Sequence, residues 1–295
     1  MITYNPKDWF YPIIHFHKSD TFRKLLPLLI LIGLITWGIA YYEIKHLKLS
    51  ETSHVKNITL MHNLLGFAIS MLLVFRTNTA YDRWWEGRKL WGSLVNNSRN
   101  FSVKIEAYFT GDMSEEKAYL KNIVKMFPEA LRLHLLKEST RLQLDSHFLN
   151  QVGDVDKTKH VPIQLILRLQ QKLAELHAGG KISTEQLLFI NGEVTGFLDI
   201  CGACERIKNT PIPYSYSSFI KKFIFIYVLT LPMGFAFSLG YIAIPVVIFV
   251  FYVLASLELI AEEIEDPFGT DINDLPMDVL SNNIRNNVEE IVTSK

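Results

Sequence analysis

The chain is expected to be an all-α polytopic membrane protein with four transmembrane helices and a cytoplasmic helical domain. Three observations predict that class. Four apolar stretches are long enough to cross a bilayer. Charged residues gather in blocks beside them. The long polar block between the second and third stretches has helical periodicity and helix-end signals, and no strand with convincing alternation.

The 295 residues are 49% hydrophobic with 30 basic and 30 acidic side chains, so the chain is neutral and mixes apolar with charged blocks. Nucleic acid is not an expected partner, because displacing phosphate counterions needs a basic excess. Cys201 and Cys204 stand too close together to staple a fold, which suits a reducing cytoplasm.

Residues 1–24 place Trp9, Phe10, Tyr11 and Phe16 among Lys7, Lys18, Arg23 and Lys24, an amphipathic segment suited to the membrane surface. They lack the charged start and apolar run of a cleavable signal peptide. Spans one and two occupy 25–75. The first covers 25–44, with Trp37, Tyr41 and Tyr42 as interface anchors, and the second 58–75. A polar helical domain follows at 76–218. Pro162 suits a first helical position and Gly179 a helix end. Ser183 with Gln186 forms the pattern of a capping box, opening a helix that reaches 207. Gly192, Gly196 and Ala203 on that helix permit close approach of neighbours. Spans three and four occupy 219–257 as a hairpin, with Pro232 and Pro245 as expected kinks. An acidic cytoplasmic segment, 258–295, closes the chain.

The basic residues Lys18, Arg23, Lys24, Arg76, Arg83, Arg88, Lys89, Arg206, Lys208, Lys221 and Lys222 all flank the spans on one side. The positive-inside tendency makes that side the cytoplasm, with both termini there and the protein in the inner membrane.

Within span two, Phe67, Met71 and Phe75 recur every fourth residue, and Asn63 continues the stripe at one end. On a helix these side chains share a face. Spacing alone favours an ordinary packing stripe over three apolar rings around an axis, because almost every buried helix shows such a stripe. Elsewhere chemistry is sparse. His62 is the one histidine inside a span, so a haem held by two histidines lacks its second ligand, and no metalloprotease pattern occurs. Cys201 and Cys204 have the spacing of a redox or zinc pair without a second pair. The spans offer no chain of buried carboxylates for a proton relay, and the sequence has no phosphate-binding loop.

Three segments carry more specific information. The stretch FRTNTAYDRWWEGRKLWGSLVNNSRN from Phe75, the stretch ERIKNTPIPYSY from Glu205 and the stretch EDPFGTDINDLP from Glu265 resemble, in order, the corresponding segments of the bestrophin family of ion channels. The resemblance implies a homopentamer in the lipid bilayer around one axial pore lined by span two. Phe67, Met71 and Phe75 then form the neck, Asn63 lies toward the outer mouth, and Ile212 narrows the cytoplasmic aperture. It implies no catalytic centre and no required cofactor. Eukaryotic members hold a calcium clasp after a similar ProPheGly. Here Asp271 and Asp274 match its outer acids, while Thr270, Ile272 and Asn273 replace the others, leaving a remnant whose acids have Arg83 or other basic residues as alternative partners. Small monovalent ions are the expected cargo, with chloride and other anions preferred and a sodium channel of the same fold as the alternative. A membrane enzyme or cofactor protein using His62, Cys201 and Cys204, or a non-conducting scaffold, remains open on the residues alone.

Overall fold

The structure, a computed structural model, describes residues 20–47, 58–110, 112–136, 155–156 and 159–293. The surface segment expected at 1–24 lies outside these residues apart from 20–24, as does most of the expected loop between the first two helices of the polar domain. Among the described residues there is no strand. Helix α1 is Asp20–Tyr42, continued by a π-helical turn, Glu43–Leu47. Then come α2, Ile58–Tyr108; α3, Ser114–Leu135; α4, Val161–Ala178; and α5, Thr184–Asn209. After α6, Tyr214–Leu239, a 3-10 turn Gly240–Ile242 leads to α7, Ala243–Glu265, and α8 is Met277–Thr293.

The helix ends follow from local chemistry. The Ser183 hydroxyl accepts the Gln186 N–H at 3.2 Å while the Gln186 side chain accepts the Ser183 N–H at 2.8 Å, a complete capping box at the start of α5. Pro162 lies in the first turn of α4, where its missing N–H would have had no partner, and Gly179 follows its last residue. Gly240 turns the chain between α6 and α7 with φ of +58°, a backbone state that side chains disfavour. Pro232 is interior to α6, whereas Pro245 falls in the first turn of α7 and needs no kink.

Two compact units result. Described residues up to Asp82 together with Pro211–Glu265 make one, and Arg83–Thr210 with those from Asp266 make the other. Helix α2 runs unbroken across 75/76, α6 begins before 219, and α7 carries on beyond 257 to Glu265. The first unit contains α1, the start of α2, α6 and α7, packed around Leu29, Ile32, Ile69, Leu73, Val228 and Val247. Each of these helices is long and apolar enough to cross a membrane.

The second unit packs the rest of α2 with α3, α4, α5 and α8 around Trp91, Phe101, Phe127, Phe197 and Ile284. Phe197 meets Phe127 edge-on at 5.0 Å and Phe101 at 6.1 Å. Helix α5 also reaches the length and apolarity of a membrane span. Its apolar face, Ile190, Val194, Phe197, Ile200 and Ile207, is instead the centre of this core. Gly196 supplies the expected close approach, since a Cβ there would stand 2.7 Å from the Asn97 side-chain oxygen, while Gly192 faces open space.

One close contact on α2 is rigid. A Cβ at Gly87 would lie 3.1 Å from Phe268 and from Pro267, and Phe268 is fully buried. Gly87→Val is therefore expected to lower stability by about 1–3 kcal/mol through overpacking, read as a lower thermal unfolding midpoint of the purified protein. An unchanged midpoint would mean that the 267–268 turn yields freely.

Candidate functional site

The first part of α2 has two unlike faces. His62, Ile69, Leu73, Arg76 and Ala80 are buried, a stripe with helical spacing turned into the unit. Phe67, Met71 and Phe75 point away from it, with 69%, 44% and 56% of their surface exposed, and Asn63 is exposed on the same helix. Hydroxyls on this stretch turn back to their own helix: Ser70 donates to the Gly66 carbonyl at 2.7 Å, Thr77 to Leu73 at 2.7 Å and Thr79 to Phe75 at 2.9 Å. An apolar surface with its polar atoms satisfied internally is the result.

One residue beyond Phe75 the helix carries a buried cation. Arg76 is 1% exposed; its Nη2 donates to Glu265 Oε2 at 2.7 Å, and its Nε reaches Glu258 Oε1 at 3.4 Å. Glu265 also accepts the backbone N–H of Ile212 at 2.6 Å. One carboxylate thus ties the segment between the two prolines to the helix that bears the stripe. Helix α7 extends over Glu258, so a carboxylate does sit on a long apolar helix, held by an arginine rather than by another acid.

In the second unit the aromatic and basic residues that follow serve as supports. Arg83 donates to the carbonyls of Ile207 and Thr210, both at 2.6 Å, closing the C-terminal end of α5. Trp84 Nε1 donates to the Asn273 carbonyl at 3.0 Å, and Lys208 pairs with Asp266 at 2.6 Å. Arg83 thus caps a helix where pairing with the downstream acids was the sequence alternative. Asp274 is 2% exposed and folds back on its own loop, with Oδ2 accepting the Asp271 N–H at 2.6 Å. Burial pushes its carboxyl up to about 6. Asp271, Ile272 and Asn273 are exposed. Calcium takes about six to eight oxygens; the Asp271 and Asp274 side chains carry four, one of which already accepts the Asp271 N–H.

The sequence matches the family described as Bacterial/Fungal Bestrophin protein over residues 1–290. The chain belongs to the bestrophin family. This bestrophin is 35% identical, over 77% of its own length and 76% of the relative's, to the voltage-dependent anion channel-forming protein alr2987 of Nostoc sp.. A protein of the same description, RSc3414 of Ralstonia nicotianae, is 29% identical over 96% of this chain and 92% of its own. In fold it resembles a mutant of a bacterial bestrophin homolog from Klebsiella pneumoniae, with TM-score 0.78, 24% identity and coverage of 92% of this chain and 100% of that one. Together with its apolar helices, this makes it a multi-pass membrane protein.

In this bestrophin His62 is hydrogen-bonded and Cys201 and Cys204 are buried. His62 Nδ1 donates to the Ile58 carbonyl at 2.9 Å, and Nε2 lies 3.1 Å from the Thr230 hydroxyl. With both nitrogens used and Tyr227 and Phe235 beside the ring, His62 is a packing residue. Cys201 and Cys204 are free and buried. Burial, reinforced for Cys201 by the Glu205 charge, pushes the Cys201 thiol up to about 12 and the Cys204 thiol higher still, so neither is a ready thiolate.

One cluster was missed by sequence reading. His134 in the last turn of α3, His160 at the N-cap of α4 and Glu205 on α5 converge, with both histidine Nε2 atoms on Glu205 Oε1 at 2.7 and 2.5 Å. Burial pushes the Glu205 carboxyl up, but the hydrogen bonds from His160 and His134 outweigh it and hold the group below its ordinary value. His134 and Glu205 are 71 residues apart in the chain, and no local motif joins them.

Proposed function

We propose that this bestrophin is a channel for small monovalent ions, with chloride and other anions preferred, built as a homopentamer around one axial pore in the inner membrane with both termini cytoplasmic. Helix α2 lines the pore. Asn63 lies toward the outer mouth, Phe67, Met71 and Phe75 stack as apolar rings of the neck, and Ile212 narrows the cytoplasmic aperture. The observation that carries this reading is the uncovered stripe on α2: Phe67, Met71 and Phe75, among other exposed apolar side chains of this stretch, are 44–69% exposed, while His62, Ile69, Leu73 and Arg76 are buried. A face of that kind facing an axis makes a constriction that gates ions by dewetting. The preference for anions is supported by the names of the Nostoc and Ralstonia relatives. Conduction is passive and needs no resident cofactor.

The test is the reversal potential of the purified protein in planar bilayers under a KCl gradient, with EGTA on both sides. Reversal toward the chloride potential is expected. Reversal toward the potassium potential would make it a cation channel, and a well-folded oligomer that carries no current would end the channel reading. A current that appears only on replacing EGTA with calcium would restore a clasp at Asp271 and Asp274.

A further inference from the structure

The convergence of His134, His160 and Glu205 assigns, we infer, a binding site for a divalent transition cation of the zinc type, independent of the proposed pore. The three ligand atoms lie within 4.8 Å of one another. Zinc bonds to nitrogen and carboxylate oxygen run about 2.0–2.2 Å, so the ligand atoms of a tetrahedral shell stand roughly 3.3 Å apart. The two histidine Nε2 atoms are 2.7 and 2.5 Å from Glu205 Oε1, so a small opening of the side chains admits the ion. Two imidazoles and one carboxylate favour zinc-like ions over calcium or magnesium, which take oxygen.

The ligands are held and yet reachable. Each comes from a different helix or helix cap of one unit, so the ion would tie α3, α4 and α5 together. Their side chains are 31%, 28% and 28% exposed, leaving a route for the ion and for a water in the fourth position. Binding through Nε2 moves each imidazole proton to Nδ1. For His160 this gives up the 3.3 Å capping bond from the Ile163 N–H. Ile163 is 49% exposed, so water replaces that bond. Glu205 brings the negative charge that the cation offsets.

The test uses the full-length protein in detergent, washed with EDTA, then titrated with cobalt chloride and, separately, zinc chloride. Cobalt is expected to produce visible absorption of a four-coordinate N/O site, saturating at one ion per chain. Zinc is expected to raise the thermal unfolding midpoint with the same stoichiometry. Both signals are expected to vanish in Glu205→Gln, which keeps the shape and hydrogen-bonding reach of the side chain, and in His134→Ala. If the alanine variant does not fold, Glu205→Gln alone decides. Wild-type protein that gives neither signal, or a Glu205→Gln variant that gives both undiminished, overturns the site. Currents in bilayers are a separate readout, so loss of this site and failure of the channel reading are distinguishable.

Discussion

Arg76→Met is expected to destabilise the protein by about 3–5 kcal/mol, because it removes the cation from a buried ion pair and leaves the carboxylates behind. Glu258 is 4% exposed at its side chain and Glu265 13%, so neither regains full hydration when Arg76 is lost. Methionine replaces the volume without the charge. The double variant Arg76→Met with Glu258→Gln is expected to recover part of the loss, since one uncompensated charge disappears. Arg76→Lys keeps the charge but not two separately directed donors, and falls between. Thermal unfolding of the detergent-purified protein reads all three. Because Glu265 also holds the Ile212 N–H, the single variant further loosens the proposed aperture. Wild-type stability in Arg76→Met would mean that the buried pair contributes nothing net.

Replacing Phe67, Met71 and Phe75 together with alanine is expected to raise single-channel conductance severalfold at nearly unchanged stability. These residues are largely exposed on the subunit, so truncating them leaves no cavity in its core, and the effect falls on the space they project into. The opposite face supplies the control. Ile69 and Leu73 are 1% and 2% exposed. Alanine at either is expected to cost about 2–5 kcal/mol without a gain in conductance. Current per channel in planar bilayers and the unfolding midpoint separate the two outcomes. Unchanged conductance in a correctly assembled triple variant would move the pore to another face of the helix.

Much of the fold was legible because helices announce their ends and their sidedness locally. Ser183 with Gln186, Pro162 and the four apolar stretches depend on neighbours a few residues away, and the structure has them where local chemistry puts them. Boundaries were harder to read. A helix leaving an apolar environment continues for as long as its backbone hydrogen bonds do, so the onset of charge at Glu258 marks no end. Arg76 reads in sequence as one more basic flanking residue, and only folding brings Glu258 and Glu265 to it. His134, His160 and Glu205 were hidden for the same reason, since their chemistry exists only when three helices pack. The stripe on α2 was fully visible as spacing, but spacing does not tell a lining face from a packed one. Exposure does.

The hydroxyls of Ser70, Thr77 and Thr79, each folded onto its own helix, carry a consequence for the proposed neck. A wall whose hydroxyl protons are already taken has no donor to offer an anion in exchange for its water shell. Passage is then ranked by how weakly each ion holds its hydration, so large, diffuse anions cross more readily than small, tightly hydrated ones. Discrimination of this kind is a property of the solvent as much as of the protein, and it asks of the neck only that it be narrow and dry.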